Sequence, residues 1–254
     1  MSEHSATTGL VTIVTAGSGK IGGAIARALA GHGHRLVLMS AGGSAVKLAG
    51  EIGGIGVTGS VTDPAGLKAL VEAAMDAHGR IDGVVNNTGH VIKGTGSVLA
   101  PVYKEEDNDD LLAVDDATWH TAVDMILLNV VRMARLVTPI MRRQKAGAIV
   151  NISSFAQKEP SPKFAVGAAM RMAMGGFMKQ YADRYGRDGI RMNNLLPGFV
   201  GFDPLPAPLV GTIPMGRSAT TGELGETTAF LLSPAAGYIT GQSILLDGGL
   251  TRSV

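Results

Sequence analysis

The chain has 254 residues, 22 basic and 21 acidic side chains, a net charge of +1 and no cysteine. This balance gives no reason to expect nucleic acid or an acidic membrane surface as a partner, and the lack of cysteine excludes disulfides, thiolate metal sites and thiol nucleophiles. The first residues lack the pattern of a secretory signal, and no apolar run approaches the roughly 18 residues of a membrane span, so we expect a soluble cytoplasmic protein.

Short apolar strands alternate with helices along the chain. The predicted strands are 10–15, 34–40, 54–59, 81–87, 147–153, 190–198 and 243–247. The predicted helices are 21–33, 63–79, 116–143, 162–186 and 223–232. Fully apolar strands that alternate with helices indicate a parallel sheet covered on both faces. No change in composition marks a second domain, so we predict a single doubly wound α/β domain over residues 1–254.

The first strand runs into a glycine-rich turn that opens a helix. Gly17, Gly19 and Gly22 have the spacing G-x-G-x-x-G. Glycines at these positions permit a tight turn and let backbone N–H groups approach a pyrophosphate at the helix N-terminus. The turn therefore predicts a dinucleotide site, with a glycine-rich turn that binds no ligand as the alternative.

Several segments resemble the short-chain dehydrogenase/reductase family, and together they cover nearly the whole chain. They are the turn at 15–23, Asn-Asn-Thr-Gly at 86–89, the strand end at 149–154, the segment 189–200 with its Pro-Gly, and the segments 213–217 and 239–249. The resemblance implies a Rossmann-type fold, NAD(P) as the cofactor, and hydride transfer between NAD(P)H and a carbonyl or alcohol. The cofactor contacts that it implies are Gly17, Ser18, Gly19, Lys20, Ile21, Gly22, Ser40, Asn87, Gly89, Arg171, Pro197, Gly198 and Val200.

Three of the four catalytic positions of that family are altered in this chain. The serine is retained as Ser154, but Gly167, Arg171 and Ile126 stand where the family has tyrosine, lysine and asparagine. Glycine offers no proton, and arginine stays protonated near neutral pH. We therefore expect Ser154 to hold the substrate oxygen and Arg171 to donate hydrogen bonds, without the usual acid/base.

Two other residues are candidates to supply the proton. His90 directly follows the Asn-Asn-Thr-Gly segment, and histidine is the residue type suited to acid/base work near neutral pH. Tyr103 lies in 90–116, an apparent insertion that we expect near the mouth of the active site. A histidine that only lines a loop and a tyrosine that only packs are the alternatives. The acidic run at 105–110 matches no calcium loop, so no metal site is predicted.

The predicted cofactor site departs from the family pattern. Ala16 and Lys20 stand at glycine positions, and Lys20 either contacts a phosphate or fills the space where one would lie. No acidic residue follows the second strand at 40–44, which favours NADP(H) over NAD(H). A filled pocket with no cofactor is the alternative.

Three functions are consistent with this pattern. The first is a divergent NAD(P)-dependent oxidoreductase that acts on a carbonyl or alcohol with a non-standard acid/base. The second is a non-catalytic homologue that binds a dinucleotide or other ligand and acts through a partner. The third is a cofactor-independent enzyme similar to the halohydrin dehalogenases, which share an arginine at the position of Arg171 but keep the tyrosine.

Two further expectations concern partners. The segment 199–212 is apolar and proline-rich, which indicates a small apolar or uncharged substrate. The helices near 116–143 and 163–187 usually form the dimer or tetramer contact in this family, so the resemblance implies a homodimer or homotetramer.

Overall fold

The computed structural model describes residues 9–87, 112 and 114–253. Its seven strands form one parallel sheet in the order β3-β2-β1-β4-β5-β6-β7. The strands are β1 (Val11–Val14), β2 (Arg35–Ser40), β3 (Ile55–Thr58), β4 (Gly83–Asn86), β5 (Gly147–Ile152), β6 (Ile190–Pro197) and β7 (Ser243–Leu246). The prediction of a doubly wound parallel sheet in a single domain is confirmed.

Helices cover both faces of the sheet. They are α1 (Lys20–Gly31), α2 (Ser44–Ile52), α3 (Pro64–His78), α4 (Asp116–Ala122), α5 (Asn129–Gln144), α6 (Ala165–Tyr185), α7 (Ala207–Val210) and α8 (Thr221–Leu232), and a π-helical turn (Val123–Leu128) joins α4 to α5. Along β2, Val37 and Met39 pack toward α3, α5 and α6, whereas Leu36 and Leu38 pack toward α1, α2 and α8. This alternation follows from the two-residue period of a strand, and it builds one core on each side of the sheet.

The start of α3 matches its sequence signal. The side chain of Asp63 accepts hydrogen bonds from the N–H groups of Ala65 and Gly66 at 3.0 and 3.1 Å, and Pro64 occupies the first helical position. These contacts satisfy two N–H groups that have no partner inside the helix, and proline lacks the N–H that would need a third.

The helix α2 was missing from the predicted elements. Its nine residues lie between two glycines in the left-handed conformation, Gly43 with φ 76° and Gly53 with φ 71°. Glycines at both ends are typical of a loop, so the sequence pattern alone does not indicate a helix here. Tertiary packing stabilises the helix, because Ala45, Leu48 and Ala49 are buried on one face.

Two further structural findings bear on function. Among the described residues, none of the helices has the length and apolar character needed to cross a bilayer. The same part of the chain contains no group of three or more histidine or acidic side chains placed to hold a metal ion. Residues 90–111 of the predicted insertion lie outside the described residues.

A buried histidine makes the stability of the fold depend on pH. His34 precedes β2; its Nδ1 lies 2.8 Å from Thr12 Oγ1, and its Nε2 is buried without a hydrogen-bond partner among the described residues. Burial, aided by the charge of His32 and opposed by Asp82, lowers the pKa of His34 from 6.5 to about 4. The folded protein therefore keeps this ring neutral at pH values where the unfolded chain would protonate it.

We expect the free energy of unfolding to fall as the pH drops from about 6.5 to about 4. In this window the unfolded chain binds a proton that the folded chain excludes, and the total loss is roughly 3 kcal/mol. Urea unfolding at several pH values measures it. The variant His34→Asn removes the titrating ring and should flatten the dependence, whereas His78→Asn, on a partly exposed histidine, should leave it unchanged. If the free energy of unfolding of His34→Asn depends on pH as steeply as that of the wild type, groups other than His34 cause the dependence.

Candidate active site

The turn between β1 and α1 packs tightly around two of its glycines. Gly17 N–H donates to the Met39 carbonyl of β2 at 2.9 Å, and a Cβ at Gly17 would lie 3.0 Å from the Val14 carbonyl oxygen. A Cβ at Gly22 would overlap the Ala16 carbonyl and lie 2.6 Å from Asn87 Nδ2. The N-terminus of α1 is therefore free of side chains at these two points, as an anion site at a helix N-terminus requires.

Ala16 explains one departure from the family pattern. It has a φ of 47°, in the left-handed region that favours glycine. Alanine in this region costs about 1 kcal/mol. The turn thus keeps the backbone conformation of a glycine position while carrying a methyl group.

Asn87 ties β4 to the turn. Its N–H donates to Thr15 Oγ1 at 3.0 Å, and its Nδ2 donates to the Ala16 carbonyl at 3.2 Å. In this structure Asn87 therefore supports the turn that we expect to bind the cofactor. The other predicted residues of this region, Gly89, His90 and Tyr103, lie outside the described residues.

Three serine hydroxyls meet beside the turn. Ser18 Oγ lies 2.6 Å from Ser44 Oγ, which donates to Ser40 Oγ at 3.3 Å. Ser40 Oγ also accepts the Ala45 N–H at 2.8 Å, and the first turn of α2 carries no acidic residue. The sequence singled out Ser18 and Ser40 but missed Ser44, because α2 itself was not predicted.

Lys20 is the first residue of α1, and its side chain extends to the segment that follows β6. Its Nζ donates to the Gly201 carbonyl and lies 5.6 Å from the centre of the Phe202 ring. In this structure its ammonium group is therefore engaged by protein groups.

The segment after β6 borders the same edge of the sheet. Pro197 ends β6, and a Cβ at Gly198 would lie 2.9 Å from Asp247 Cβ, so close packing requires glycine there. Val200 is buried in the core and pairs with Ala219. Its predicted cofactor contact could therefore involve its backbone, whereas its side chain packs inward.

Ser154 and Arg171 lie at the carboxyl end of β5. Ser154 begins a short 3-10 turn, where its Oγ accepts the Ala156 N–H at 3.3 Å. Arg171, in α6, donates from Nη1 to the Ile152 carbonyl at 3.5 Å. Burial lowers the pKa of Arg171 to about 10, so the guanidinium remains charged at neutral pH and provides a fixed positive charge near Ser154.

The remaining two catalytic positions of the family are occupied by a buried apolar side chain, Ile126, and by Gly167, which has no side chain. Ile126 lies in the π-helical turn and packs with Ala122 and Val166. Around Gly167, in the first turn of α6, no described atom lies within 4 Å of where a Cβ would be. A π-helical turn inside a helix often marks a functional site, and here it holds the position of the family's asparagine.

Four of the six phenylalanines form a row beside Ser154. The ring of Phe155 has its centre 6.2 Å from that of Phe164 and 6.1 Å from that of Phe199, and Phe199 lies 6.3 Å from Phe202. Sequence reasoning missed this row, because its members come from three separate segments. They meet because β5 and β6 are neighbours that end at the same edge.

A chain of buried amides runs beneath this edge. Asn86 Nδ2 donates to Asn151 Oδ1 and Asn151 Nδ2 to Asn194 Oδ1, both at 2.8 Å. Asn194 Nδ2 then donates to Gln157 Oε1 at 3.2 Å, and Gln157 Nε2 donates to Ser243 Oγ at 2.7 Å. Strand register places the three asparagines side by side on neighbouring strands. The sequence shows an asparagine in each of these strands, but only the strand order brings them into contact.

Alanine substitutions at two adjacent glycines of α6 test how much this amide network contributes to stability. A Cβ at Gly175 would lie 2.6 Å from Gln157 Nε2, whereas no described atom lies within 4 Å of one at Gly176. We expect Gly175→Ala to lower the free energy of unfolding by about 1 kcal/mol, because displaced amide hydrogen bonds outweigh the gain in helix propensity. Gly176→Ala should raise it by up to about 1 kcal/mol.

Urea unfolding of both variants measures the difference, and a double-mutant cycle adds the control. In a Gln157→Ala background the penalty at position 175 should disappear, since nothing remains to be displaced. A penalty that persists there would place its cause elsewhere in α6.

Comparison with known proteins assigns the chain to a family. Residues 15–251 match the family model described as Enoyl-(Acyl carrier protein) reductase. Oxidoreductase UcpA of Escherichia coli (strain K12) is 33% identical over 265 residues, covering 96% of this chain and 95% of that protein. A 3-oxoacyl-[acyl-carrier-protein] reductase of Synechocystis is 33% identical, covering 97% of this chain and 98% of that protein.

A solved structure shows the same architecture. The crystal structure of gox2181 superposes with a TM-score of 0.85 at 26% sequence identity, and the match covers 99% of each chain. The family model spans nearly the whole domain, including the glycine turn, the Ser154 segment and the segment after β6. The chain therefore belongs to the short-chain dehydrogenase/reductase family of oxidoreductases, whose members in general bind NAD(P).

Proposed function

We propose that the protein is an NADP(H)-dependent oxidoreductase that interconverts a carbonyl and an alcohol with an acid/base other than the family's tyrosine. The observation that carries the proposal is the turn between β1 and α1. Gly22 has no space for a Cβ and a Cβ at Gly17 would be tightly packed, and a turn of this kind at a helix N-terminus fits a pyrophosphate. Ser18, Gly19 and Ile21 would provide backbone contacts in the same turn.

The serine cluster supports the choice of NADP(H). Ser18, Ser40 and Ser44 present hydroxyls at the end of β2, and the N-terminus of α2 lies beside them. Hydroxyl donors, helix N–H groups and the lack of a carboxylate suit a 2′-phosphate better than a free ribose hydroxyl. Pro197 and Gly198 would border the other end of the cofactor, and Arg171 its ribose.

The residues near Ser154 would bind the substrate oxygen and stabilise its charge during the reaction. NADPH, when bound, supplies the hydride. Ser154 Oγ would donate a hydrogen bond to the substrate oxygen, and the guanidinium of Arg171 would stabilise negative charge there. His90 would supply the proton, with Tyr103 as the second candidate. The phenylalanine row supports a small apolar or uncharged substrate, because its rings offer apolar contacts.

Calorimetric titration of the protein with NADPH and with NADH tests the cofactor proposal. We expect micromolar binding of NADPH and weaker binding of NADH. The variant Ser40→Ala with Ser44→Ala should weaken NADPH binding while leaving NADH binding unchanged, since only NADPH carries the 2′-phosphate. Failure of both dinucleotides to bind would overturn the proposal, and equal binding would remove the preference.

A dinucleotide-binding protein without turnover is the second candidate, and Gly167 and Ile126 favour it. A panel of carbonyl and alcohol substrates separates the two functions: steady turnover of any of them would eliminate the second candidate. Loss of that turnover in His90→Ala would support His90 as the acid/base. Tight NADPH binding would also exclude the third function, cofactor-independent chemistry in a filled pocket.

We also propose that the protein assembles as a homodimer or homotetramer through α4, α5 and α6. The small residues Ala173, Gly175 and Gly176 of α6 would permit close helix packing, and Ala173 and Gly176 are exposed together with Met172. A cavity of about 400 Å³ between α5 and α6 is lined by Phe177 and Tyr181 among others. Sedimentation velocity that finds only a monomer at micromolar concentration would contradict this assembly.

A further inference from the structure

Lys20 connects the two segments that border the proposed dinucleotide cleft. Its Nζ donates to the Gly201 carbonyl, and the ammonium lies 5.6 Å from the centre of the Phe202 ring. A Cβ at Gly201 would lie 2.7 Å from Lys20 Cε, and Gly201 has a φ of 71°. Glycine at 201 therefore provides both the backbone conformation and the room for the lysine.

The far end of this connection is itself firmly held. Gly201 N–H donates to the Ala219 carbonyl at 2.7 Å, and Ala219 N–H donates to the Phe199 carbonyl at 2.9 Å. Ser218 Oγ donates to the Phe202 carbonyl at 2.6 Å. Lys20 thus joins the N-terminus of α1 to a segment anchored elsewhere in the fold, rather than to a free loop.

The contact of Lys20 with Gly201 and Phe202 lies at the N-terminus of α1, where the proposed site would bind the diphosphate. Lys20 is the first residue of α1, so its backbone belongs to the anion site while its side chain is bound to the opposite segment. A charged hydrogen bond and a cation–π contact must be given up before the side chain moves.

We propose that Lys20 is an internal competitor of the dinucleotide: it closes the cleft in the free protein, and cofactor binding requires its release from Gly201 and Phe202. The inference rests on the proposed function, because it concerns the regulation of the same site. Of the two roles that the sequence allows for Lys20, the proposal selects the one in which its side chain fills the space of a phosphate. The cost of releasing Lys20 lowers the affinity for NADPH about tenfold.

The test compares Lys20→Met with Lys145→Met, which removes an exposed lysine that precedes β5, at the edge of the sheet opposite the proposed cleft. Two quantities are measured: the dissociation constant for NADPH, and amide hydrogen exchange of residues 199–202 in the ligand-free protein. We expect Lys20→Met to bind NADPH about tenfold more tightly and to exchange faster at 199–202, and Lys145→Met to match the wild type.

Weaker NADPH binding in Lys20→Met, with a shallower salt dependence, would assign Lys20 to the phosphates and overturn the competition. Unchanged affinity would overturn it as well. Binding by Lys20→Met alone would support both the competitor and the cofactor site. If neither protein binds NADPH, the proposed function and the competition both fail, and the exchange rates still decide whether Lys20 holds the 199–202 segment.

Discussion

Alanine at position 22 is expected to weaken NADPH binding roughly a hundredfold or more and to lower the free energy of unfolding by about 1–3 kcal/mol, whereas alanine at position 23 should do neither. At Gly22 a Cβ would overlap the Ala16 carbonyl, so the turn has to move away from α1. At Gly23 the nearest atom, Leu48 Cδ2, would lie 3.6 Å away, which is an ordinary contact.

The two variants form a matched pair on adjacent residues of one helix. Gly23→Ala should raise the free energy of unfolding by up to about 1 kcal/mol, because alanine favours the helix. Calorimetry with NADPH and urea unfolding give both readouts; for Gly22→Ala we expect the affinity to fall roughly a hundredfold or more, equivalent to about 3 kcal/mol. Unaltered NADPH affinity in Gly22→Ala would mean that the turn does not bind the dinucleotide.

Restoring two family residues is expected to raise carbonyl reduction strongly. The variant Gly167→Tyr with Arg171→Lys places a hydroxyl acid on α6 and a lysine one helical turn further on. The backbone can accept a Cβ at position 167, since no described atom lies within 4 Å of where that Cβ would be. A positioned general acid typically contributes about 10²–10⁴-fold, so a gain of this order is expected with NADPH and a simple apolar ketone when both substitutions are made in a His90→Ala background, which lacks the proposed donor.

The matched control is Gly167→Phe with Arg171→Lys in the same background, which supplies the same ring without the hydroxyl. It should show no gain, and both variants should bind NADPH alike. Equal rates in the two variants would show that the ring, and not its proton, causes any change. No gain in the tyrosine variant despite intact NADPH binding would show that the proton donor is not what limits turnover on simple ketones.

Several features could be predicted from the sequence because their signals are local. The alternation of apolar strands and helices indicated the doubly wound sheet, and the structure confirms it. Asp63 with Pro64 marked the start of α3, since a cap depends on neighbours two or three residues away. The glycine spacing at 17, 19 and 22 located the turn, although only Gly17 and Gly22 are closely packed there, whereas a Cβ at Gly19 would have room.

Tertiary structure alone decided the contacts that define the site. The amide chain from Asn86 to Gln157 and the row from Phe164 to Phe202 join segments that the strand order brings to one edge. Lys20 reaches Gly201, which lies 181 positions away in the chain. No local period encodes such contacts, since they depend on which strands are neighbours. The sequence by itself thus determined the fold class and the location of the turn, and the packing of parallel strands determined which side chains meet there.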